Sequence, residues 1–213
     1  MQAPHTDHRK IELIMELRRL GISNRDVLSA IERVPRSLFV TEHFSASAWE
    51  NRALPIECGQ TISQPYVVAF MTEQLQVTRR HKVLEVGTGS GYQTAVLARL
   101  CRRVYTIERY RSLVEQAERR FNHLRLTNIV TRYGDGMKGW PEQVPFDRIL
   151  VTAAAERLPE TLLGQLKPGG VMVTPVGADP DHQRIVRAVR TEDGWETENL
   201  LPVRFVPLVP GTA

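Results

Sequence analysis

Residues 83–98 read "VLEVGTGSGYQTAVLA", and this stretch decides the fold. Val83, Leu84 and Val86 make a short apolar run of the kind found in strands buried on both faces. Gly87, Gly89 and Gly91 follow at alternate positions, with Thr88 between the first two, and "YQTAVLA" then reads as a helix. A Cβ in such a loop would obstruct the tight turn and the approach of a ligand to the backbone, which is why glycine recurs. In an open α/β sheet, ligands bind outside the carboxyl ends of the strands, the edge that this loop occupies.

Working outward, strands and helices alternate. "RVYTIE", "NIVTRYG", "FDRILVTAA" and "PGGVMVTPV" read as strands; "RSLVEQAERRFNHL" and "LPETLLGQL" read as helices between them. Alternation of this kind means crossovers and a mostly parallel, doubly wound sheet. The tail, "RIVRAVRTEDGWETENLLPVRFVPL", alternates on either side of Asp193-Gly194, a hairpin signal that predicts an antiparallel finish. Ahead of the core, "RKIELIMELRRLG" and "SNRDVLSAIERV" have helical spacing, with Ser23 and Asp26 as an S-x-x-D capping box for the second. The expected architecture is a Rossmann-like α/β fold with an antiparallel C-terminal strand and N-terminal helices. It forms a single domain over 1–213: a helical lid region over 1–77 and a ligand-binding core over 78–213.

Acids stand at three successive strand ends. Glu85 precedes the glycine loop, Glu108 follows Gly87 by twenty-one residues, and Asp135 lies in "GDGMKGW" after the third strand. An acid placed like Glu108 accepts hydrogen bonds from both hydroxyls of a ribose. Asp135 is expected at an adenine amino group, with Gly134 and Gly136 leaving room for the ring. The loop is G-x-G-x-G rather than the G-x-G-x-x-G of pyrophosphate binders. A Glu85 carboxylate pointing into the site suits a cationic ligand, so S-adenosylmethionine is favoured over a nicotinamide dinucleotide. At the fourth strand end, Thr152-Ala153-Ala154-Ala155 offers neither an amide nor an aromatic ring, which argues against methylation of a base amino group.

Composition narrows the class further. The 213 residues are 42% hydrophobic and 24% charged, ordinary for a globular protein. The net charge is +4, and 24 of the 28 basic residues are arginine, scattered rather than blocked. That distribution predicts a solvated surface and no nucleic-acid partner. Cys58 and Cys101 fit no C-x-x-C pattern and the six histidines show no ligand spacing, so no metal is expected. The first ten residues carry no apolar signal core and no run approaches a membrane span, so the expectation is a cytoplasmic protein with no membrane partner.

Taken together the motifs resemble the protein-L-isoaspartate O-methyltransferase family. The matching blocks are "RVPRSLFV" (33–40), "ALPIECGQTISQPYVVAFMTEQL" (53–75), the glycine loop, "GDGMKGW" (134–140), "PFDRILVTAAA" (145–155), "LPETLLGQLKPGGVMVTPVG" (158–177) and "VRFVPLV" (203–209). "TISQP", "VTAAA" and "RFVPL" are the family-specific ones. The resemblance implies methyl transfer from S-adenosylmethionine to the free α-carboxylate of L-isoaspartyl residues in aged proteins and peptides. The ester then closes to a succinimide, and hydrolysis returns some normal aspartate. It also implies a strand order near the C-terminus that departs from the usual methyltransferase sheet; a monomer is expected.

Ser63, in "GQTISQPY", has two readings. Locally, a serine before a Pro-initiated helix is a cap. By resemblance it matches the family's active-site serine, with its hydroxyl near the substrate carboxylate or holding the loop over the cofactor. The resemblance likewise implies Ile62 and Ser63 at the cofactor, beside Glu85, Gly87, Thr88, Gly89, Gly91, Glu108, Asp135 and Gly136. Thr61, Thr152, Ala153, Arg204 and Val206 are its substrate-binding candidates, and the N-terminal helices are expected to cover the cofactor. Rival readings are a methyltransferase of RNA or a small molecule, a nicotinamide-dependent dehydrogenase, and a degenerate methyltransferase fold used for binding alone.

Overall fold

The centre of the computed structural model is a seven-stranded sheet of order β5-β4-β3-β6-β7-β8-β9. The structure describes residues 8–213; residues 1–7, the start of the expected lid region, lie outside the described residues. Helices α1 (His8–Arg19) and α2 (Arg25–Arg33) come first, then a two-stranded ribbon of β1 (Leu54–Pro55) and β2 (Thr61–Ile62), then α3 (Pro65–Gln74). The core follows as β3 (Lys82–Val86), α4 (Tyr92–Ala98), β4 (Arg103–Glu108), α5 (Arg111–His123), β5 (Ile129–Tyr133), β6 (Phe146–Val151), α6 (Glu160–Leu163), β7 (Leu166–Val176), β8 (Arg184–Arg190) and β9 (Trp195–Pro202).

The five strands β3 to β7 are parallel; β8 pairs antiparallel with β7, and β9 antiparallel with β8. The turn at Asp193-Gly194 closes the β8–β9 hairpin, with Thr191 N–H donating to the Gly194 carbonyl at 2.9 Å. Because β3 pairs with both β4 and β6, the glycine loop after Val86 sits at the middle of the sheet's carboxyl edge.

Side chains alternate across the sheet and meet different layers. Val83, Val104, Leu150 and Val173 pack with Met71 and Leu75 of α3 and Leu97 of α4. Leu84, Val86, Ile107, Ile149 and Met172 pack on the other face with Leu162 and Leu163. Leu13, Leu17, Val27 and Ile31 of the first two helices join Ala95, Val96, Leu113 and Phe121 of α4 and α5.

Two local expectations are corrected. The cap of α2 is Asn24, whose Oδ1 accepts from the backbone N–H of Asp26 at 3.0 Å and Val27 at 3.1 Å. Ser23 is drawn away: its N–H and hydroxyl both donate to Glu73 Oε1 on α3, fifty residues on. Helix α6 spans only four residues of "LPETLLGQL", because Pro159 opens it and Leu166 already starts β7.

Candidate active site

A cavity enclosing about 820 Å³, its open mouth included, lies beyond the carboxyl ends of β3, β4 and β6. It is walled by the glycine loop, the segment Gln60–Ser63 and the tail segment Val206–Val209. The tail is held by strand-like bonds: Ala154 N–H donates to the Val206 carbonyl at 2.8 Å and Leu208 N–H to the Ala154 carbonyl at 2.7 Å.

Glu108 lies at the cavity wall, 5% exposed. Its Oε2 accepts from Gly89 N–H at 2.8 Å and its Oε1 from Tyr110 N–H at 3.0 Å. Each oxygen retains a second lone-pair direction for a ligand diol. The loop glycines divide by role. A Cβ on Gly87 would stand 2.3 Å from Thr152 Oγ1, and one on Gly91 2.7 Å from the Phe121 ring. At Gly89 a Cβ would meet only Ile56, at 3.8 Å, so this glycine faces open space, as a ligand-approach position must. Gly91 does not line the cavity; it lets α4 pack on α5.

Glu85 is the main correction. It shares the face of Val83, under α4, and is fully buried, so its carboxylate does not line the cavity. Its Oε2 accepts from the Thr106 hydroxyl at 2.6 Å and from the Thr94 hydroxyl, while Oε1 has no partner. Thr88 Oγ1 is 2.6 Å from Thr106 Oγ1, so a hydroxyl chain links Glu85 to the glycine loop. Burial pushes the carboxyl up to about 8, despite the two threonine hydroxyls that lower it; Glu108 adds to the rise. Burial thus favours the neutral carboxyl, and with the group off the cavity the charge argument built on it loses its basis.

Asp135 opens the turn that follows β5. Its Oδ1 accepts from Met137 N–H at 2.9 Å, opening a short 3-10 turn, and it lines a separate pocket with Arg132 and Lys138. Only Gly136 of that segment reaches the main cavity. Thr152 and Ala153 line it, but the Thr152 hydroxyl is engaged, donating to the Gly87 carbonyl at 2.7 Å. Arg204 is not at the cavity. It is exposed beside Asp181 (3.6 Å) and lines an adjoining groove between Asn51–Ala53, Thr61–Val67 and Leu201–Phe205. No residue of α1 or α2 lines the cavity either, so these helices buttress α4 and α5 rather than cover a ligand.

The structure separates the two readings of Ser63. The N-cap residue of α3 is Gln64, without a side-chain cap bond, and Tyr66 N–H is satisfied instead by Asn51 Oδ1 at 3.0 Å. Ser63 therefore does not cap. Its hydroxyl makes no hydrogen bond among the described residues, and it lines both the cavity and the groove, at their junction. Thr61 shares that junction, and Ile62, 3% exposed, lines the cavity.

Two residues that the motifs do not single out matter here. Arg36, fully buried, donates to the Ser63 carbonyl at 3.1 Å. Gln183, 3% exposed, accepts from Phe205 N–H at 2.6 Å and donates to the Phe205 carbonyl at 3.3 Å, ahead of the tail segment. The partners they do find are remote in sequence, so no local pattern marks them.

With this geometry in hand, the sequence matches the family described as Protein-L-isoaspartate(D-aspartate) O-methyltransferase (PCMT) over residues 8–213. The chain belongs to that family. A PCMT relative from Rhodospirillum rubrum, named protein-L-isoaspartate O-methyltransferase, is 64% identical over 205 residues, covering 95% of this chain and 94% of its own. One of the same name from Parvibaculum lavamentivorans is 61% identical over 209 residues, 97% of this chain and 94% of its own. A solved protein-L-isoaspartate O-methyltransferase superposes with a TM-score of 0.85 at 29% identity, over 93% of this chain and 65% of that one. Another, from Plasmodium falciparum, is described as a beta-aspartate methyltransferase (PCMT) in complex with S-adenosyl-L-homocysteine. It gives a TM-score of 0.82 at 25% identity, over 94% of this chain and 98% of its own. The PCMT assignment sets aside the dehydrogenase reading and the RNA or small-molecule alternative.

Proposed function

We propose that this chain transfers the methyl group of S-adenosylmethionine to the free α-carboxylate of L-isoaspartyl residues, the first step in repairing aged proteins and peptides. The residues present suit that cofactor: Glu108 has acceptor capacity for a ribose diol, and the open face of Gly89 admits a nucleoside against the backbone. Gly87, Thr88, Gly136 and Ile62 complete the cradle. When bound, S-adenosylmethionine supplies a methyl group already activated on a sulfonium.

The observation that carries the reading is the Ser63 hydroxyl, free of internal partners, where the groove meets the cavity. The substrate carboxylate is ionised at neutral pH, its ordinary pKa being about 4, so no general base is required. What the chain must provide is orientation. Ser63 donates a hydrogen bond to the carboxylate and aims one oxygen into the cavity, while Thr152 and Ala153 wall the approach. Thr61, Arg204 and Val206 hold the flanking peptide along the groove and the tail. Alignment of this kind can contribute roughly 7–11 kcal/mol.

The proposal includes a monomer acting in the cytoplasm with isoaspartyl proteins and peptides as partners and no nucleic acid. Among the described residues no helix is long and apolar enough to cross a membrane.

The test is methyl transfer from radiolabelled S-adenosylmethionine to two peptides identical except for L-isoaspartate or L-aspartate at one position. Base-labile label on the isoaspartyl peptide alone is expected. Label on both, or on neither while the cofactor binds, overturns the substrate assignment. Ser63→Ala is expected to keep the fold and cofactor affinity and lose most turnover, on the order of a hundredfold. Undiminished turnover would remove Ser63 from the chemistry.

A further inference from the structure

We propose that Arg36 is a positioning residue for methyl transfer, setting Ser63 against the cofactor loop through main-chain contacts; this rests on the role proposed for Ser63. Arg36 follows Pro35 at the start of a 3-10 turn and is fully buried. Its Nη1 donates to the Ala48 carbonyl at 2.7 Å, and its Nη2 to the carbonyls of Arg52 at 3.0 Å and Ser63 at 3.1 Å.

A buried guanidinium is expensive unless its hydrogen bonds are met. Among the described residues Arg36 forms no salt bridge with a carboxylate; the nearby Glu50 is exposed and paired with Arg52. The compensation is three backbone carbonyls at the two Nη atoms, Nε having no partner among the described residues, and these carbonyls lie on the two segments that frame the serine. Ala48 and Arg52 flank the turn that carries Asn51. Asn51 in turn accepts from Tyr66 N–H at 3.0 Å through its side chain and from Gln64 Nε2 at 2.9 Å through its carbonyl. On the other side, β2 ties Thr61 and Ile62 to Pro55 and Leu54. The main chain around Ser63 is thus held from both sides, while the hydroxyl is left uncommitted.

The guanidinium also lies over the Tyr92 ring, 5.8 Å from its centroid. Tyr92 is the first residue of α4, directly after the glycine loop, and lines the cavity. One planar cation therefore touches the serine's backbone and the helix that follows the cofactor loop. It sets the separation between the group that aims the carboxylate and the loop that holds the methyl donor. Displacement of reacting groups by about 1 Å can reduce a rate on the order of a hundredfold. A lysine retains the charge but not the fork that reaches three carbonyls at once.

A double-mutant cycle tests this. kcat with the isoaspartyl peptide is measured for wild type, Arg36→Lys, Ser63→Ala and the double variant, with cofactor affinity by calorimetry and Tm alongside. Arg36→Lys is expected to bind the cofactor nearly as wild type and to lower kcat by about ten- to a hundredfold. On the Ser63→Ala background the same change is expected to have little further effect, because both act through one interaction. Equal fold-losses on the two backgrounds would make Arg36 a fold residue only, and wild-type kcat in Arg36→Lys would also overturn the proposal. Full turnover in Ser63→Ala alone would instead sink the serine's role, and Arg36's with it. Arg36→Met, which removes the buried charge and keeps an unbranched stem, is run in parallel in case the lysine variant does not fold.

Discussion

At the scale of single residues, Gly89 and Gly91 make opposite predictions although they lie two positions apart. Both have positive φ, +53° and +90°. A Cβ at Gly91 would also collide with Phe121 and stand 3.1 Å from Ala117, inside the α4–α5 contact. Gly91→Ala is expected to destabilise by about 2 kcal/mol or more, read by chemical denaturation. Gly89→Ala is expected to lose only about 1 kcal/mol, the strain of the left-handed region, but to weaken cofactor binding by calorimetry because its Cβ enters the cavity. Unaltered affinity in Gly89→Ala would show that the ligand does not approach the loop there. Glu85 gives a pH prediction. Folded, its carboxyl is pushed up to about 8 from an ordinary 4.5. Between those values the folded chain holds a proton that the unfolded chain has released. Its contribution is therefore fully present below about 4.5 and lost as pH rises through about 8. Without added cofactor, wild-type Tm is expected to fall more steeply from mildly acid to mildly alkaline pH than that of Glu85→Gln. Parallel curves would mean that Glu85 does not titrate as its burial implies.

At the scale of elements, the two cavity walls are segments with little regular structure of their own, each held in part by a buried polar side chain. Gln183, just ahead of β8, grips Phe205 through both amide atoms, and its backbone carbonyl accepts from Val203 N–H at 3.0 Å. Gln183→Leu leaves the Phe205 backbone groups without those partners, which costs about 1–3 kcal/mol. It is expected to weaken S-adenosylhomocysteine binding as well, since Val206–Val209 depends on that anchor. A stability loss with unchanged affinity would separate the tail from the site. The same contrast explains what the sequence revealed. Strands, helices and the glycine loop were legible because periodicity and turn chemistry are local. Glu108 was legible because its spacing from the loop is set by one βαβ unit. The direction of Glu85 was not: strand parity says only that it opposes Leu84, and which face α4 covers is a tertiary fact. Ser23 failed as a cap because Glu73, on another helix, competes for it. Arg36 stood inside a recognised motif, but an arginine carries no local sign that its acceptors will be three carbonyls.

At the scale of the whole molecule, the open question is whether the lid region over 1–77 and the core over 78–213 unfold together. The packing favours a single transition. Leu17, Ile31, Val34 and Phe39 are fully buried and share one cluster with Ala95, Val96, Leu113 and Phe121 of the core. The Phe39 and Tyr92 rings also meet edge to face, at 5.5 Å between centroids. A fragment starting at residue 78 would expose that face of α4 and α5 and lose α3, whose Met71 and Leu75 cover the sheet. Each such side chain loses about 1.5–3 kcal/mol when exposed, against a total stability of about 5–15 kcal/mol for a domain. The fragment is therefore expected not to fold. Trp49, 8% exposed in the lid region, offers the probe for the intact chain. With Trp140 and Trp195 changed to phenylalanine, the fluorescence midpoint in denaturant is expected to coincide with that of far-ultraviolet circular dichroism, which follows the whole fold. An earlier fluorescence midpoint would make residues 8–77 a separately melting lid. Ser63 would then be set against the cofactor loop by a segment that opens on its own, and the rigidity assigned to Arg36 would have to appear only when ligand is bound.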